Sequence, residues 1–434
     1  MEKMSVSKFE EAVREKTIDK KATGKLVIEL FEESGNVTSI IRRSIKGNYH
    51  EKRIDLQQLE KEVGDILVCM VQLISQLPGA NLEEITRRNL KKTHTNYSQS
   101  DFRTENAILG FGEYQGYVSH TYREDLPQKQ EEQARFFAMG LMKEIGKISE
   151  LFGENIIDGV RLNQYRIEEK LGDALWYLVA ICKTYDMNLQ KILEISLVKM
   201  RAKEPGKEEE KIVQGNHNIS FEEYTEGTSN TPQGHIVSMS EDDKNRELVL
   251  GLFEEGGEVT ELCADPESNK EHLKDEIGDV LWYICQIANR LPGMSLEKIA
   301  RFNLEKTHTR YQKDAGSIKE ESLFFNDYAL YARNTYKEDL PESQEERLTL
   351  FSIGLIKEIG KISELYGENR IDSKTLDVYK VKEKLGDALW YLTAIARTAG
   401  LNLGEIASAN MTKTQGRKRV TDPITNDNRE EGEK

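Results

Sequence analysis

Four carboxylates in the second part of the chain have a spacing suited to holding a divalent cation. Glu255 and Glu258 are three positions apart, and Glu276 and Asp279 repeat that spacing further along the chain. Residues three apart leave the same face of a helix, so each pair would present two carboxylates together. Like charges at this spacing destabilise an isolated helix, and a hard cation would offset their repulsion. The pattern therefore predicts a cation site.

The donor types indicate which cation this would be. Magnesium prefers oxygen ligands and joins carboxylates to substrate phosphates, whereas zinc favours the cysteine and histidine that this pattern lacks. We expect Mg²⁺ as the cofactor, with Mn²⁺ able to replace it. In a chain with 32% charged residues, either pair alone is equally typical of a solvated helix face.

A third group of polar residues follows downstream. Asn303, Lys306 and Arg310 lie at i, i+3 and i+7, which is one stripe of a helix with an amide and two cations. A triphosphate needs such donors, but the same stripe also suits an ordinary helix end, where the dipole favours cations. His308 lies within this segment, and we interpret it as a surface or core polar residue.

The order of these motifs resembles the MazG-like family of all-α nucleotide pyrophosphohydrolases. The relevant segments are Glu254-Glu-Gly-Gly-Glu258, Glu276-Ile-Gly-Asp279 and Asn303-Leu-Glu-Lys306. The resemblance implies that Glu255, Glu258, Glu276 and Asp279 hold magnesium, that Glu254 supports the site, and that Asn303, Lys306 and Arg310 meet the nucleotide or its phosphates.

The resemblance also implies a reaction. A nucleoside triphosphate or deoxynucleoside triphosphate would be split to a monophosphate and pyrophosphate by water attack at the α-phosphorus, with Glu254 or Glu255 assisting deprotonation of the water. Alternatives are a non-catalytic nucleotide-binding sensor or scaffold, a hydrolase specific for dUTP or for an alarmone such as guanosine tetraphosphate, and a helical-repeat interaction protein without chemistry.

The chain contains repeats at two distances. The sequence Glu-Ile-Gly-Lys-Ile-Ser-Glu-Leu begins at Glu144 and again at Glu358, 214 residues later. Within each half, Glu62-Val-Gly-Asp65 resembles Lys170-Leu-Gly-Asp173, 108 residues on. These repeats predict an internal duplication with four related units, which we call A1, B1, A2 and B2 in chain order.

Only A2 keeps all four carboxylates of the motif, which we call the A2 site. The corresponding A1 site has an amide at Asn36, and Asn96 matches Arg310; the B1 and B2 clusters have lysines at two positions. The three altered sets are Glu33, Asn36, Glu62 and Asp65 for A1; Glu144, Lys147, Lys170 and Asp173 for B1; and Glu358, Lys361, Lys384 and Asp387 for B2. We interpret the B units as structural partners in which Glu–Lys and Asp–Lys pairs replace the metal, and we expect A and B units to pair within the chain, with a homodimer also open.

Helices must position these residues. Leu273, Ile277, Val280 and Ile284 recur at helical spacing and no alternating segments occur, so we predict an all-α fold of helical bundles. The predicted organisation is a first half at 1–205, a linker and start of the second half at 206–240 with a short helix near 221–226, a second half at 241–415, and a charged, disordered tail at 416–434.

Composition narrows the class of protein. The formal net charge of −15 disfavours a protein that coats nucleic acid. No apolar run approaches the roughly 20 residues that span a bilayer, and the polar start lacks a signal-peptide core. We therefore expect a cytoplasmic protein without a membrane partner, with its four cysteines reduced and packed in the core.

Overall fold

The computed structural model describes residues 5–17, 22–46, 54–97, 111–119, 121–122, 126–199, 219–229, 240–311, 323–336 and 339–421. These residues form sixteen helices and no strand; Ser220 and Phe324 make an isolated bridge. The all-α prediction is confirmed. None of the helices in these ranges is long and apolar enough to cross a membrane.

The helices of the first half precede residue 200. They are α1 (Val6–Lys16), α2 (Thr23–Lys46), α3 (Leu56–Ile74), α4 (Leu82–Tyr97), α5 (Phe111–Ser119), α6 (Gln130–Asp158), α7 (Gln164–Thr184) and α8 (Leu189–Lys199).

The helices of the second half follow in the same order. They are α9 (Phe221–Ser229), α10 (Glu241–Leu262), α11 (Lys270–Arg290), α12 (Leu296–Tyr311), α13 (Phe325–Arg333), α14 (Gln344–Ile371), α15 (Val378–Thr398) and α16 (Leu403–Thr421).

Local sequence sets where several helices begin and end. The Ser240 hydroxyl accepts a hydrogen bond from the Asp243 amide at the start of α10, and the Asp377 carboxylate caps α15 in the same way. Leu291 ends α11 in extended geometry, and Gly293 then turns the chain at a φ of 70°. These signals were readable from the sequence.

Four long helices, α2, α6, α10 and α14, pack together at the centre. Phe31 of α2 stacks on Phe253 of α10 with ring centroids 3.9 Å apart. Helices α6 and α14 cross where Gly146 meets Gly360, and a Cβ built on Gly146 would lie 2.6 Å from the Gly360 Cα. Only glycine permits so close a crossing at this point.

The shorter helices pack around this centre in the same pattern in both halves. Helix α4 packs on α7 and α8 packs on α3, and in the second half α12 packs on α15 and α16 packs on α11. Each A motif therefore lies beside the last helix of the following B segment, and each B motif lies beside the last helix of the A segment.

Residues 214 positions apart make matching contacts. Lys143 donates to Asp372 at 2.8 Å, and Lys357 donates to Asp158 at 2.9 Å. The internal duplication and the four-unit division nevertheless stay predictions.

Two predicted boundaries differ from the structure. The short helix predicted near 221–226 is α9, which ends at Ser229, and α16 continues to Thr421, past the predicted start of the tail at 416. The remaining tail and most of the predicted linker lie outside the described residues. All four cysteines are buried and none forms a disulfide, as predicted.

Candidate metal and substrate site

The A2 carboxylates come from two neighbouring helices. Helix α10 supplies Glu255 and Glu258, and α11 supplies Glu276 and Asp279. Oxygens of Glu255, Glu276 and Asp279 lie within 4.8 Å of one another. A second group of donor atoms at the same spacing joins Glu258 and Glu276 to His272, whose Nε2 is 3.0 Å from Glu276 Oε1. The four predicted carboxylates are therefore brought together.

Burial of these carboxylates is unfavourable without a cation. Burial, followed by the negative charges of Glu254 and Asp279, raises the pKa of Glu255 to about 10, and a hydrogen bond with Glu276 adds to the rise. The group would be protonated at neutral pH unless a positive charge replaced the proton. The three carboxylates of Glu255, Glu276 and Asp279 fit a hard divalent cation such as magnesium. The expectation that no histidine lies near the motif is wrong, because α11 places His272 one turn before Glu276.

Glu254 is held by residues from the first half of the chain. Its Oε1 accepts a hydrogen bond from the Ser39 hydroxyl at 2.6 Å, and its Oε2 lies 2.7 Å from Arg42 Nη1. Arg42 also reaches the Tyr283 hydroxyl at 2.9 Å and Glu247 at 3.2 Å. Both oxygens of Glu254 are thus engaged, which suits a positioning role next to Glu255.

The polar partners of Asp279 come from α16. Asn410 Nδ2 donates to Asp279 Oδ1 at 2.8 Å, and Lys413 Nζ donates to Oδ2 at 2.9 Å. The Tyr224 hydroxyl of α9 donates in turn to Asn410 Oδ1 at 2.7 Å. A Cβ on Gly278 would approach the Asn410 Cβ to 3.0 Å, so glycine here lets α16 come close to α11.

The predicted stripe of Asn303, Lys306 and Arg310 does not lie beside the A2 carboxylates. Asn303 Nδ2 donates to Asp387 Oδ1 at 3.0 Å, and Lys306 Nζ contacts Asp387 and Glu383. The structure therefore places Asn303 and Lys306 at the B2 cluster, because α12 packs more extensively on α15 than on α11. The side chain of Arg310 lies outside the described residues.

Sequence reasoning missed Asn410 and Lys413, although a signal was present. Asn410-Met-Thr-Lys413-Thr repeats the Asn-x-x-Lys-Thr spacing of Asn303 and of Asn89. No comparable sequence pattern predicts Arg42 as a site residue, because its role depends on the contact between α2 and α10.

The A1 site keeps three carboxylates but also contains a cation. Glu33, Glu62 and Asp65 have oxygens within 4.8 Å of one another. Lys61 Nζ lies 2.9 Å from Glu62 and 3.2 Å from Asp65. Burial opposes the charge on Lys61, yet Glu62 and Asp65 raise its pKa well above its usual value. The corresponding residue of A2 is Asp275.

The surroundings of the A1 site have changed as well. The Phe9 ring meets Phe111 edge-on as the Tyr224 ring meets Phe325, so Phe9 takes the place of Tyr224. Ser196, 214 residues before Asn410, takes the place of that asparagine. Phe9 is buried against Phe111 and has no hydroxyl to donate. The tyrosine and asparagine that orient Asp279 thus have no counterparts of the same type.

Lysines occupy the centres of both B clusters, as predicted. Lys384 lies 3.3 Å from Glu358 and 3.6 Å from Asp387, and Lys170 lies 3.2 Å from both Glu144 and Asp173. The second lysine of each cluster pairs across the α6–α14 contact instead, with Lys147 meeting Glu364 and Lys361 meeting Glu150.

The segment that carries the A2 site matches a known family of proteins. Residues 243–314, from α10 to the end of α12, match the model described as the MazG nucleotide pyrophosphohydrolase domain. The chain is also similar to the Gene 37 protein of Mycobacterium phage L5, with 33% identity over 81 residues, which cover 17% of this chain and 68% of the phage protein. No solved structure matches the chain.

Proposed function

The chain belongs to the MazG nucleotide pyrophosphohydrolase family, and from this premise we propose that its A2 site converts a nucleoside or deoxynucleoside triphosphate to a monophosphate and pyrophosphate with Mg²⁺. One observation carries the proposal. Among the four clusters, A2 combines a full set of carboxylates with an acidic residue, Asp275, where A1 has Lys61.

The proposed cation ligands are Glu255, Glu258, Glu276 and Asp279. Mg²⁺ held there, or Mn²⁺ in its place, would supply a more acidic water and positive charge for the phosphate oxygens. The oxygens of Glu255, Glu276 and Asp279 already lie within reach of one ion. Little reorganisation of the helices would then be needed for binding.

The chain's own residues accept the proton of the attacking water, position the carboxylates and bind the phosphate. Glu255 accepts the proton of the attacking water, and the contacts of Glu254 with Ser39 and Arg42 fix the helical turn that presents Glu255. Asn410 orients Asp279, because its amide bridges Tyr224 and the carboxylate. The Lys413 ammonium, which is 30% exposed, is placed to meet a phosphate oxygen of the substrate.

The deciding experiment measures pyrophosphate and monophosphate released from a panel of triphosphates with Mg²⁺ or Mn²⁺. The panel includes dUTP and is accompanied by guanosine tetraphosphate, so that a specialised hydrolase would be recognised. Glu258→Gln and Asp279→Asn should each lower the rate by about 100-fold or more, since each removes a negative ligand. Asp275→Lys, which gives A2 the residue type found in A1, should do the same.

A matched control comes from the first half. Asp65→Asn makes the change of Asp279→Asn in the A1 site, and the rate should stay within about twofold, because the proposed reaction uses A2 alone. Loss of activity in Asp65→Asn alone would contradict the assignment to A2. Magnesium-dependent nucleotide binding without any pyrophosphate release would favour the sensor instead.

A further inference from the structure

Three arginines surround an open cavity at one end of the second half. The cavity has a volume of about 580 Å³. Its lining residues are Arg333, Tyr336, Gln344, Arg347, Arg397 and Thr398. None of these described lining residues is a carboxylate, which sets the cavity apart from the other charged clusters described above.

Three helix ends bring the arginines together. Arg333 is the last residue of α13, Arg347 lies in the first turn of α14, and Arg397 is next to the last residue of α15. Gln344 Nε2 donates to the Thr398 carbonyl at 3.0 Å, which ties the start of α14 to the end of α15. The positions of the guanidinium groups therefore follow from the packing of helices rather than from a loop.

No acid among the described residues neutralises the charges of these arginines. The Arg347 guanidinium donates to two backbone carbonyls, that of Glu342 at 2.9 Å and that of Ser343 at 3.4 Å. Within the described residues, none of the three arginines lies within 4.0 Å of a carboxylate oxygen. By contrast, Lys306, Lys357, Lys361 and Lys384 of the neighbouring B2 cluster all have acidic partners.

Tyr336 joins this cavity to a second one. Its hydroxyl is buried and has no hydrogen-bond partner among the described residues. Burial raises the pKa of Tyr336 to about 12, and the nearby charges of Arg397 and Arg333 oppose the rise. Its ring contacts Trp390 and Phe351, and these rings form the apolar side of a cavity of about 370 Å³. The charged residues of the B2 cluster line the other side of that cavity. That volume is within the range of small-molecule sites.

The first half retains the scaffold but has only one cation, Lys183, at the three matching positions. Gln130 donates to the Thr184 carbonyl at 2.8 Å, which matches the bond from Gln344 to Thr398. The positions that match the three arginines are Ser119, Gln133 and Lys183. Helix packing alone thus does not require arginine at these places.

We propose that Arg333, Arg347 and Arg397 bind adjacent phosphoryl groups of a small anion, a nucleotide or pyrophosphate, without a divalent cation. Guanidinium groups form paired hydrogen bonds with phosphate oxygens and stay charged at every physiological pH. The Tyr336 hydroxyl would donate to the same anion, and the aromatic cavity beside it would take the nucleoside of a nucleotide. This site is separate from the A2 site and does not depend on hydrolysis there.

The test is calorimetric titration of the full chain with ATP, AMP and pyrophosphate in EDTA, which removes any contribution that needs a metal. We expect binding that weakens as salt is raised, because exposed charges are screened. Arg347→Gln and Arg397→Gln should each weaken it by about tenfold or more. Tyr336→Phe should weaken it too. Lys183→Gln, at the position in the first half that matches Arg397, is the control and should leave it unchanged.

The outcomes separate the two sources of the anion. Equal affinity for ATP and pyrophosphate supports a site that recognises phosphoryl groups alone. Tighter binding of ATP supports a nucleotide ligand whose base enters the cavity beside Tyr336. Absence of binding in EDTA would overturn the proposal, as would binding that both arginine variants retain while their melting temperatures show a folded chain. Because no hydrolysis is measured, failure here leaves the A2 proposal untouched.

Discussion

At the scale of single residues, one neighbouring side chain distinguishes the A2 site from its relatives. Three clusters contain a lysine between their acidic groups: Lys61 in A1, Lys170 in B1 and Lys384 in B2. In A2 the position of Lys61 is held by Asp275, and among the described residues the lysine in contact, Lys413, meets Asp279 alone. A cluster that is not neutralised from within favours a cation from solution.

The raised pKa of Glu255 predicts how stability depends on pH. Burial and the neighbouring acids raise it from an ordinary value of 4.5 to about 10. Between these values the folded chain keeps a proton that the unfolded chain has released, so stability falls as the pH rises. We expect the melting temperature without metal to fall between about pH 6 and about pH 9, and to fall less in Glu255→Gln.

Magnesium supplies the control for this prediction. Added Mg²⁺ should raise the wild-type melting temperature most at the higher pH, because the ion displaces the proton. Glu33→Gln is the matching change in the A1 site, where burial raises the pKa of Glu33 to about 9. In this variant the effect of magnesium on the melting temperature should persist. Equal magnesium responses in Glu255→Gln and wild type would refute the role of Glu255.

At the scale of helices, the exchange of the last helix decides which residues complete each site. Helix α16 brings Asn410 and Lys413 to Asp279, while α12 brings Asn303 and Lys306 to Asp387. The A2 site is thus built from α10, α11 and α16, and the B2 cluster from α14, α15 and α12. A change in the packing of α16 would act on the A2 site, and a change in that of α12 on the B2 cluster.

The crossing of α6 and α14 gives a prediction at this scale. Gly146→Ala would place a Cβ 2.6 Å from the Gly360 Cα, so the helices must separate. Overpacking costs about 1–3 kcal/mol, which should outweigh the roughly 1 kcal/mol that alanine gains over glycine in a helix. Thermal melting should therefore show a lower transition temperature.

Gly116 provides the matched helical control. It lies in α5, and a Cβ there would meet nothing within 4 Å. Gly116→Ala should leave the melting temperature unchanged or raise it, because only the helix preference is altered. If Gly146→Ala melted like this control, the close crossing would not be limiting.

At the scale of the whole molecule, Arg42 connects the two halves. It belongs to α2, yet its guanidinium lies in the second half between Glu247, Glu254 and Tyr283, and it is almost fully buried. Glu254, the residue next to Glu255, is thereby held in place by a side chain of the first half. The A2 site depends on a contact that its own half does not contain.

Removal of this cation should destabilise the protein. Arg42→Leu leaves two buried carboxylates without their partner, a change that costs about 3–5 kcal/mol for a buried pair. The measurement is thermal unfolding without metal, together with the rate of pyrophosphate release. Adding Glu254→Gln to Arg42→Leu should recover part of the lost stability, since one unpaired charge is then removed. An unchanged melting temperature in Arg42→Leu would argue against this account.

The sequence by itself determined the all-helical fold and the four carboxylates. Helical periodicity and acidic pairs three residues apart are local properties, and together with the resemblance to the MazG-like family they predict Glu255, Glu258, Glu276 and Asp279 as the site. The repeated Asn-x-x-Lys spacing was equally legible at Asn303 and at Asn410, but nothing local says which carboxylate each asparagine will meet.

Only the tertiary structure decided those partners. Whether α12 packs mainly on α11 or on α15 depends on how the helices of the chain pack around the four central helices. That packing consists of contacts between residues far apart in the chain. The same closure places Arg42 beside Glu254 and brings Arg333, Arg347 and Arg397 to one cavity. Helix formation is governed by neighbours in sequence, whereas the choice of a charged partner is governed by neighbours in space.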